Sequence, residues 1–215
     1  MLRVRGLSKR IDGVVVLRNV SLEVGEREVV CLFGPNGSGK STLMRVIAGL
    51  EKPDCGRVIL GDRDITGEKP WERVSSGVAY AFQIPRPFKR LTFLENLAVA
   101  AMTYRSKNEA FRLAEDVAER YGVRGLAGKR ADTLSQGEMK ILEILRAYMT
   151  GARVLLLDEP FASLDVDNAE FLREKLLEIS EDGTAMLVTS HRRKILEGLA
   201  DRFLRLEGGV VHADG

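Results

Sequence analysis

The sequence predicts an α/β fold in which a mostly parallel sheet carries an N-terminal antiparallel β subdomain and a helical insertion. Three observations support it. Residues 28–33 and 154–157 are short apolar runs of the kind buried on both faces of a central strand. Strand and helix patterns alternate after Gly151, as they do in βαβ units. From Gln83 to about Met149, by contrast, apolar residues recur at helical steps. Residues 1–83 and 151–215 are therefore expected to form the core and 84–150 the insertion, within a single domain over 1–215.

Taken in chain order, residues 2–5, 14–17 and 20–24 read as short strands separated by Asp12-Gly13 and closed by Gly25-Glu26, an antiparallel opening. The run 28–33 ends at Gly34, and a helix follows from about Gly39-Lys40 to Gly49. A further strand pair, 57–60 and 78–82, flanks a polar stretch holding Trp71. Thr92 and Glu95 have capping-box spacing, which starts a helix ahead of Leu97, Ala98 and Ala101. In the next helix Phe111, Ala114, Val117, Ala118 and Tyr121 share one face, Arg112, Glu115, Asp116 and Glu119 lie outside, and Gly122 ends it. Ser135 opens a helix over 136–149 whose apolar residues spread around the axis, so it is expected to be mostly buried. Strand 154–157 follows, then a helix carrying Ala169, Leu172, Leu176 and Ile179, and strand 185–189. A short helix over 193–199 and two strands split by Gly208-Gly209 complete the pattern.

Composition bounds the function classes. The 215 residues are 45% hydrophobic and 30% charged, with a net charge of +2, which suits a globular chain and offers no basic field for nucleic acid. No nucleic-acid partner is expected. Cys31 sits in an apolar run and Cys55 in a polar turn, which argues against a disulfide framework and for a reducing compartment, the cytoplasm. The longest apolar runs, such as 97–102, fall short of the ~20 residues that span a bilayer. Arg3, Arg5, Lys9 and Arg10 interrupt the opening, so it does not read as a signal peptide.

Gly34-Pro35-Asn36-Gly37-Ser38-Gly39-Lys40-Ser41 fits G-x-x-x-x-G-K-[ST] directly after an apolar strand and before a helix that begins with Thr42 in its first turn. Each position has a physical reason. Glycines let successive backbone N–H groups curl around phosphate oxygens, the helix N-terminus adds partial positive charge, Lys40 reaches the β- and γ-phosphates, and Ser41 can ligate Mg²⁺. This is a P-loop NTPase core, with ATP and Mg²⁺ as the implied ligands. The strand 154–157 ends in Asp158-Glu159. Alone, such a pair reads as solvated strand-end acids. Beside a phosphate loop, alternation along the strand assigns Asp158 to Mg²⁺ and Glu159, pointing the other way, to the attacking water.

With these motifs in place the chain resembles the ATP-binding cassette, the nucleotide-binding domain of ABC transporters. Leu134-Ser135-Gln136-Gly137-Glu138 is similar to the family signature LSGGQ and stands between the phosphate loop and the Asp-Glu strand. Gln83 matches the Q-loop glutamine, Ser163-Leu164-Asp165 the D-loop, and His191 the switch histidine. The resemblance implies that two cassettes, identical or different, pack head to tail with each ATP between one phosphate loop and the other subunit's signature. It further implies that Gln83 touches Mg²⁺ or water and reports to the insertion, that His191 supports Glu159, and that a transmembrane permease anchors the pair to the cytoplasmic face of the membrane. That Ser135 opens a helix with Gly137 in its first turn agrees with a phosphate contact there.

Three positions depart from the family pattern. Ile11 stands where an aromatic ring usually stacks on adenine, so base binding is expected to be weaker or less adenine-selective. Gln136 and Glu138 replace glycine and glutamine, and Arg192 follows His191 where aspartate is usual. The stretch 81–88, with Leu91-Thr92, Glu95-Asn96-Leu97 and Asp64-Ile65-Thr66-Gly67, resembles the ATPases of branched-chain amino-acid importers, although residues 101–131 lack part of the insertion those carry. Pro85, Pro87 and Phe88 fit either a permease-docking groove or plain loop packing. A rival function is a soluble cassette of another assembly, such as iron–sulfur cluster biogenesis. The interval from Lys40 to Leu134 is too short for the coiled-coil insertion of DNA-maintenance ATPases.

Overall fold

A computed structural model describes residues 1–214, and in it the two halves of the β structure are separate sheets. The first is antiparallel. It contains β1 (Leu2–Ile11), β2 (Val14–Val24), β4 (Cys55–Leu60) and β5 (Arg63–Asp64), in the order β2-β1-β4-β5. The second contains β3 (Val29–Phe33), β6 (Val78–Ala81), β7 (Val154–Leu157), β8 (Ala185–Ser190), β9 (Arg202–Glu207) and β10 (Val210–Asp214). Its order is β10-β9-β3-β8-β7-β6, parallel throughout except for the β9–β10 hairpin at one edge.

The continuous apolar runs exist because this second sheet is covered on both faces. Alternate residues of each central strand serve different cores. Cys31, Leu155, Leu157, Met186 and Val188 pack against α3 (Phe93–Ala101), α4 (Lys107–Arg120), α5 (Gln136–Tyr148) and α6 (Val166–Glu181). Val30, Leu32, Leu156 and Leu187 face α1 (Lys40–Ile47) and the antiparallel sheet. Burial pushes the Cys31 thiol up to about 12, and both cysteines are free. In the helical segment the Tyr121 and Tyr148 hydroxyls both donate to Asp182 Oδ2, at 2.8 and 3.1 Å, which fastens α4 and α5 to the C-terminal end of α6.

The capping signals hold as read: Thr92 Oγ1 accepts from the Glu95 N–H at 3.2 Å, and Glu95 Oε2 accepts from the Thr92 N–H at 2.7 Å. Other expectations are corrected. Residues 14–17 and 20–24 form one strand, because Asn19 takes a left-handed φ of 49° and absorbs the interruption as a bulge opposite β1, which itself runs on to Ile11. Residues 57–60 and 78–82 do not pair; β4 and β6 belong to different sheets. The polar stretch around Trp71 is a helix, α2 (Pro70–Ser76), with proline at its start and Glu72 closing onto the Lys69 N–H at 2.7 Å. Seven residues were too few to show a helical period. The helix expected over 193–199 is one 3₁₀ turn, Arg193–Leu196.

Arg73 on α2 explains why this short helix matters to the core. Its side chain is 1% exposed and donates to the carbonyls of Val46 at 2.7 Å, Ile47 at 2.5 Å, Thr66 at 2.7 Å and Glu68 at 3.2 Å. Two of those carbonyls end α1, so the guanidinium holds from behind the helix whose front end carries the phosphate loop. Arg73→Met leaves the four carbonyls without that donor. Urea unfolding is expected to show a loss of about 3 kcal/mol, with Arg73→Lys recovering only part because a point ammonium cannot reproduce the planar fork.

Candidate active site

β3 delivers the loop 34–41 to the edge of a 240 Å³ cleft. The loop turns through Gly37 (φ 78°) and Gly39 (φ 102°). A Cβ on Gly39 would press within 3.1 Å of Val16 and Leu17, so only glycine suits both the backbone angle and the close approach of β2. Gly39 caps α1 without any side-chain cap, and the first turn carries no acid. The helix N–H groups and its positive end are thus directed at the cleft. Lys40, 5% exposed, crosses back to donate to the carbonyls of Gly34 at 2.8 Å and Pro35 at 3.1 Å. Asn36, Gly37, Ser41 and Thr42 line the cleft on this side, with Val16, Gln83 and Glu159 also on its wall. The Ser38 hydroxyl is buried and has no hydrogen-bond partner among the described residues.

Across from the loop, Asp158 is held by three hydroxyls. Oδ1 accepts from Ser41 Oγ at 3.1 Å and from Thr189 Oγ1 at 2.9 Å, and Oδ2 accepts from Tyr80 Oη at 2.8 Å. Burial, then the neighbouring carboxylate, pushes the Tyr80 hydroxyl pKa upward, so it remains a donor. Glu159 Oε1 lies 3.4 Å from Lys40 Nζ, and Oε2 accepts from His191 Nδ1 at 3.0 Å and from the His191 N–H at 3.3 Å. The carboxylate acceptor puts the imidazole hydrogen on Nδ1 and leaves Nε2 free. The two carboxylates do diverge, but strand alternation is not the cause. β7 ends at Leu157, and Glu159 has a left-handed φ of 47° whose N–H is pinned by Thr189 Oγ1 at 2.9 Å.

The residues present fit ATP and Mg²⁺. The unpartnered Ser38 hydroxyl, the uncapped helix end and the buried lysine make an anion cradle. Among the described residues no cluster of three or more His, Cys, Asp or Glu could hold a metal alone. Mg²⁺ asks for less: one or two protein oxygens, completed by water and phosphate. The Ser41–Asp158 pair supplies them.

The signature lies elsewhere. Ser135 is the N-cap of α5, its Oγ accepting from the Glu138 N–H at 3.2 Å, while Glu138 Oε2 accepts from the Ser135 N–H at 2.8 Å. A carboxylate at 138 thus closes a capping box, and Lys129 at 2.8 Å holds its pKa below the usual range. A Cβ on Gly137 would run into the Asn168 amide, which is itself fixed to Asp165, the N-cap of α6. Leu134 is buried and Gln136 exposed. Gln136, Ser163 and Leu164 line a second cavity of 510 Å³, and Gln83 borders both it and the phosphate-loop cleft.

Residues 17–162 match the family described as ABC transporter. This chain belongs to that family. It is 32% identical over 232 residues to the high-affinity branched-chain amino acid transport ATP-binding protein LivG of Escherichia coli, covering all of this chain and 91% of that protein. A probable branched-chain amino acid transport ATP-binding protein of Archaeoglobus fulgidus is 32% identical over 228 residues, covering all of this chain and 89% of that one. Among solved structures, a nucleotide-free ATP-binding cassette from an ABC transporter superposes with a TM-score of 0.89 at 32% identity, covering all of this chain and 90% of the other. A dimeric cassette in a post-hydrolysis state bound to ADP and phosphate gives 0.86 at 26% identity, over 100% and 98%.

In this ABC cassette the fold gathers Lys40, Ser41, Gln83, Asp158, Glu159 and His191 around one cleft and keeps Ser135 and Gly137 off its wall. Ile11 ends β1 opposite Val14 and is 36% exposed; Val16 is the apolar side chain that reaches the cleft wall. Arg192 is exposed and leaves the His191–Glu159 contact intact. Sequence reading missed Thr189 and Tyr80. Polar groups ending buried strands beside a phosphate loop were the available signal. Thr189→Val removes the donor to Asp158 and the acceptor of the Glu159 N–H without changing shape. The expected result is a loss of about 2 kcal/mol in unfolding free energy and a fall of about tenfold in ATP turnover with ATP affinity retained.

Proposed function

We propose that this cassette is the ATP-hydrolysing subunit of a branched-chain amino-acid importer, working as a head-to-tail pair of cassettes on the cytoplasmic face of a membrane permease. The convergence of Lys40, Ser41, Asp158, Glu159 and His191 in one cleft carries the reading. The transport names of the relatives point to the cargo. The dimeric relative supports the pairing. With the signature residues off the cleft wall, a partner's Ser135 and Gly137 complete the site around the γ-phosphate, and Ser163-Leu164-Asp165 serve as the D-loop, Ser163 and Leu164 lining the cavity beside the signature. A soluble assembly such as iron–sulfur biogenesis is not favoured.

The chemistry follows from charge and proton placement. Lys40 and the loop N–H groups take the β- and γ-phosphates. Glu159 accepts a proton from the water that attacks the γ-phosphorus, the bond to the β–γ bridging oxygen breaks, and ADP and phosphate leave. His191 orients Glu159 through Nδ1–H, and Nε2, an acceptor in that tautomer, is available to a hydrogen of the attacking water. Ser41 and Asp158, with Gln83 beside them, are the residues that would hold Mg²⁺, whose charge offsets that of the phosphate oxygens.

Among the described residues no helix is long and apolar enough to cross a membrane, and in this reading the cassette is attached through the permease. A 720 Å³ groove lined by Trp71, Phe82, Phe88, Tyr104 and Arg146 suits a short cytoplasmic helix of that partner. Phe88 belongs to this groove, whereas Pro85 and Pro87 line the cavity beside Gln136.

Glu159→Gln should keep ATP binding, lose turnover by at least about a hundredfold and accumulate an ATP-bound dimer on size exclusion; unchanged steady-state hydrolysis would remove Glu159 as the base. Recovery from native membranes with a multi-spanning permease is the expected partner result. Exclusive recovery in a soluble complex would overturn the transport role.

A further inference from the structure

The loop between β6 and α3 holds Gln83, yet among the described residues the backbone of 82–87 makes no hydrogen bond to other backbone. Side chains of α5 hold it instead. Lys140 Nζ donates to the Gln83 carbonyl and, at 3.5 Å, to the Glu159 carbonyl. One turn on, Glu143 Oε1 accepts from the Phe82 N–H at 3.4 Å and Oε2 from the Arg86 N–H at 3.2 Å. One turn further, Arg146 Nη1 donates to the Arg86 carbonyl at 2.8 Å and to Glu143 Oε2 at 3.2 Å. These three residues stand at i, i+3 and i+6 along one helix face.

We infer that the row Lys140, Glu143 and Arg146 clamps the 82–86 backbone to α5, so that Lys140 and Glu143 are positioning residues that set where Gln83 stands in the phosphate-loop cleft. Burial makes the row costly as mere packing: Lys140 is 7% exposed and Glu143 6%. Desolvation lowers the Lys140 pKa, opposed by the charges of Asp158, Glu143 and Glu159. Apolar residues would fill the same space with less desolvation, but they would leave the N–H groups and carbonyls of this loop unpaired. The row is therefore matched to backbone that the sheet leaves unpaired beyond Ala81.

The arrangement also has a direction. α5 begins within the signature, its N-cap Ser135 standing five positions before Lys140. A displacement of α5 by a partner's γ-phosphate would carry Gln83 with it, because the loop has no other backbone anchor until the Phe88 N–H, which donates to Asn96 Oδ1 at 2.8 Å. Occupancy of one site would thereby reach the Gln83 of the other. This inference rests on the reading of the cleft as an ATPase site.

The test is a double-mutant cycle in ATP turnover by the full chain, with ATP affinity measured separately. Lys140→Met removes the donors at nearly constant shape and is expected to lower kcat about tenfold while the Kd for ATP stays within about twofold. Lys140→Arg, which keeps a cationic donor, should restore most of the loss. In the Gln83→Ala background Lys140→Met should cost less than about twofold more, since both changes then remove the same placement. Independent, multiplying losses, or an unaffected kcat in Lys140→Met, overturn the inference. Should Lys140→Met lack a cooperative unfolding transition, the same cycle is decided on Glu143→Gln, whose amide turns one acceptor into a donor facing an N–H. Wild-type chain without ATPase activity, or a fully active Glu159→Gln, overturns the reading of the cleft and this inference with it. Multiplying losses in an enzyme that depends on Glu159 overturn this inference alone.

Discussion

Ser41 Oγ meets Asp158 Oδ1 across 3.1 Å, joining residues 117 positions apart in the chain. The rest of the site depends on that closure. It exists because β3, which launches the phosphate loop, and β7, which ends in the two acids, both flank β8 in register. All three strands are buried on both faces, so a slip of one residue would exchange their two core-facing sets and cannot be tolerated. Register in the core therefore becomes placement at the site. The same end of β8 supplies Thr189 between Asp158 and the Glu159 N–H, and His191 just beyond it.

The buried polar groups around the site form one connected arrangement. Lys40 answers Glu159 and two loop carbonyls, Asp158 takes three hydroxyls, and Glu159 takes His191 and Lys40. In a low-dielectric setting a fully partnered network is rigid, whereas an unpartnered member is costly. Ser38 is the exception, a buried hydroxyl without a partner among the described residues at the point where an incoming phosphate would supply one. Arg73 plays the corresponding part behind α1, donating to the Val46 and Ile47 carbonyls at the helix end. Both ends of the phosphate-loop helix are thus fixed by groups far away in sequence.

In the proposed reading, the second half of the machinery meets a partner cassette. The Ser135–Glu138 capping box shapes the start of α5, and Gly137 is kept small by the approach of Asn168 from α6. Gly137 and Asp165 are thus linked through Asn168 within one subunit, and neither lines that subunit's own phosphate-loop cleft. Gln83 is the common border of the cleft and the cavity beside the signature, which is why the hold of α5 on its loop bears on both.

Local signals determined a great deal by sequence alone. The glycine spacing from Gly34 to Ser41, the capping box at Thr92, the helix start at Ser135, and the apolar runs at 28–33 and 154–157 each act over a few residues, and each took the structure it announced. The signature LSQGE and the order of the motifs named the family before any geometry was present. Tertiary structure decided what depends on distant partners. Asn19 bulges rather than breaks β2 because β1 lies alongside, and β4 and β6 separate because two sheets form. The left-handed turn at Glu159 depends on Thr189, and the role of Lys140, Glu143 and Arg146 depends on a loop brought against them from some sixty positions away. Hydrogen bonds to backbone carry no side-chain pattern at the receiving end, so such contacts leave no mark in the sequence until the chain has folded.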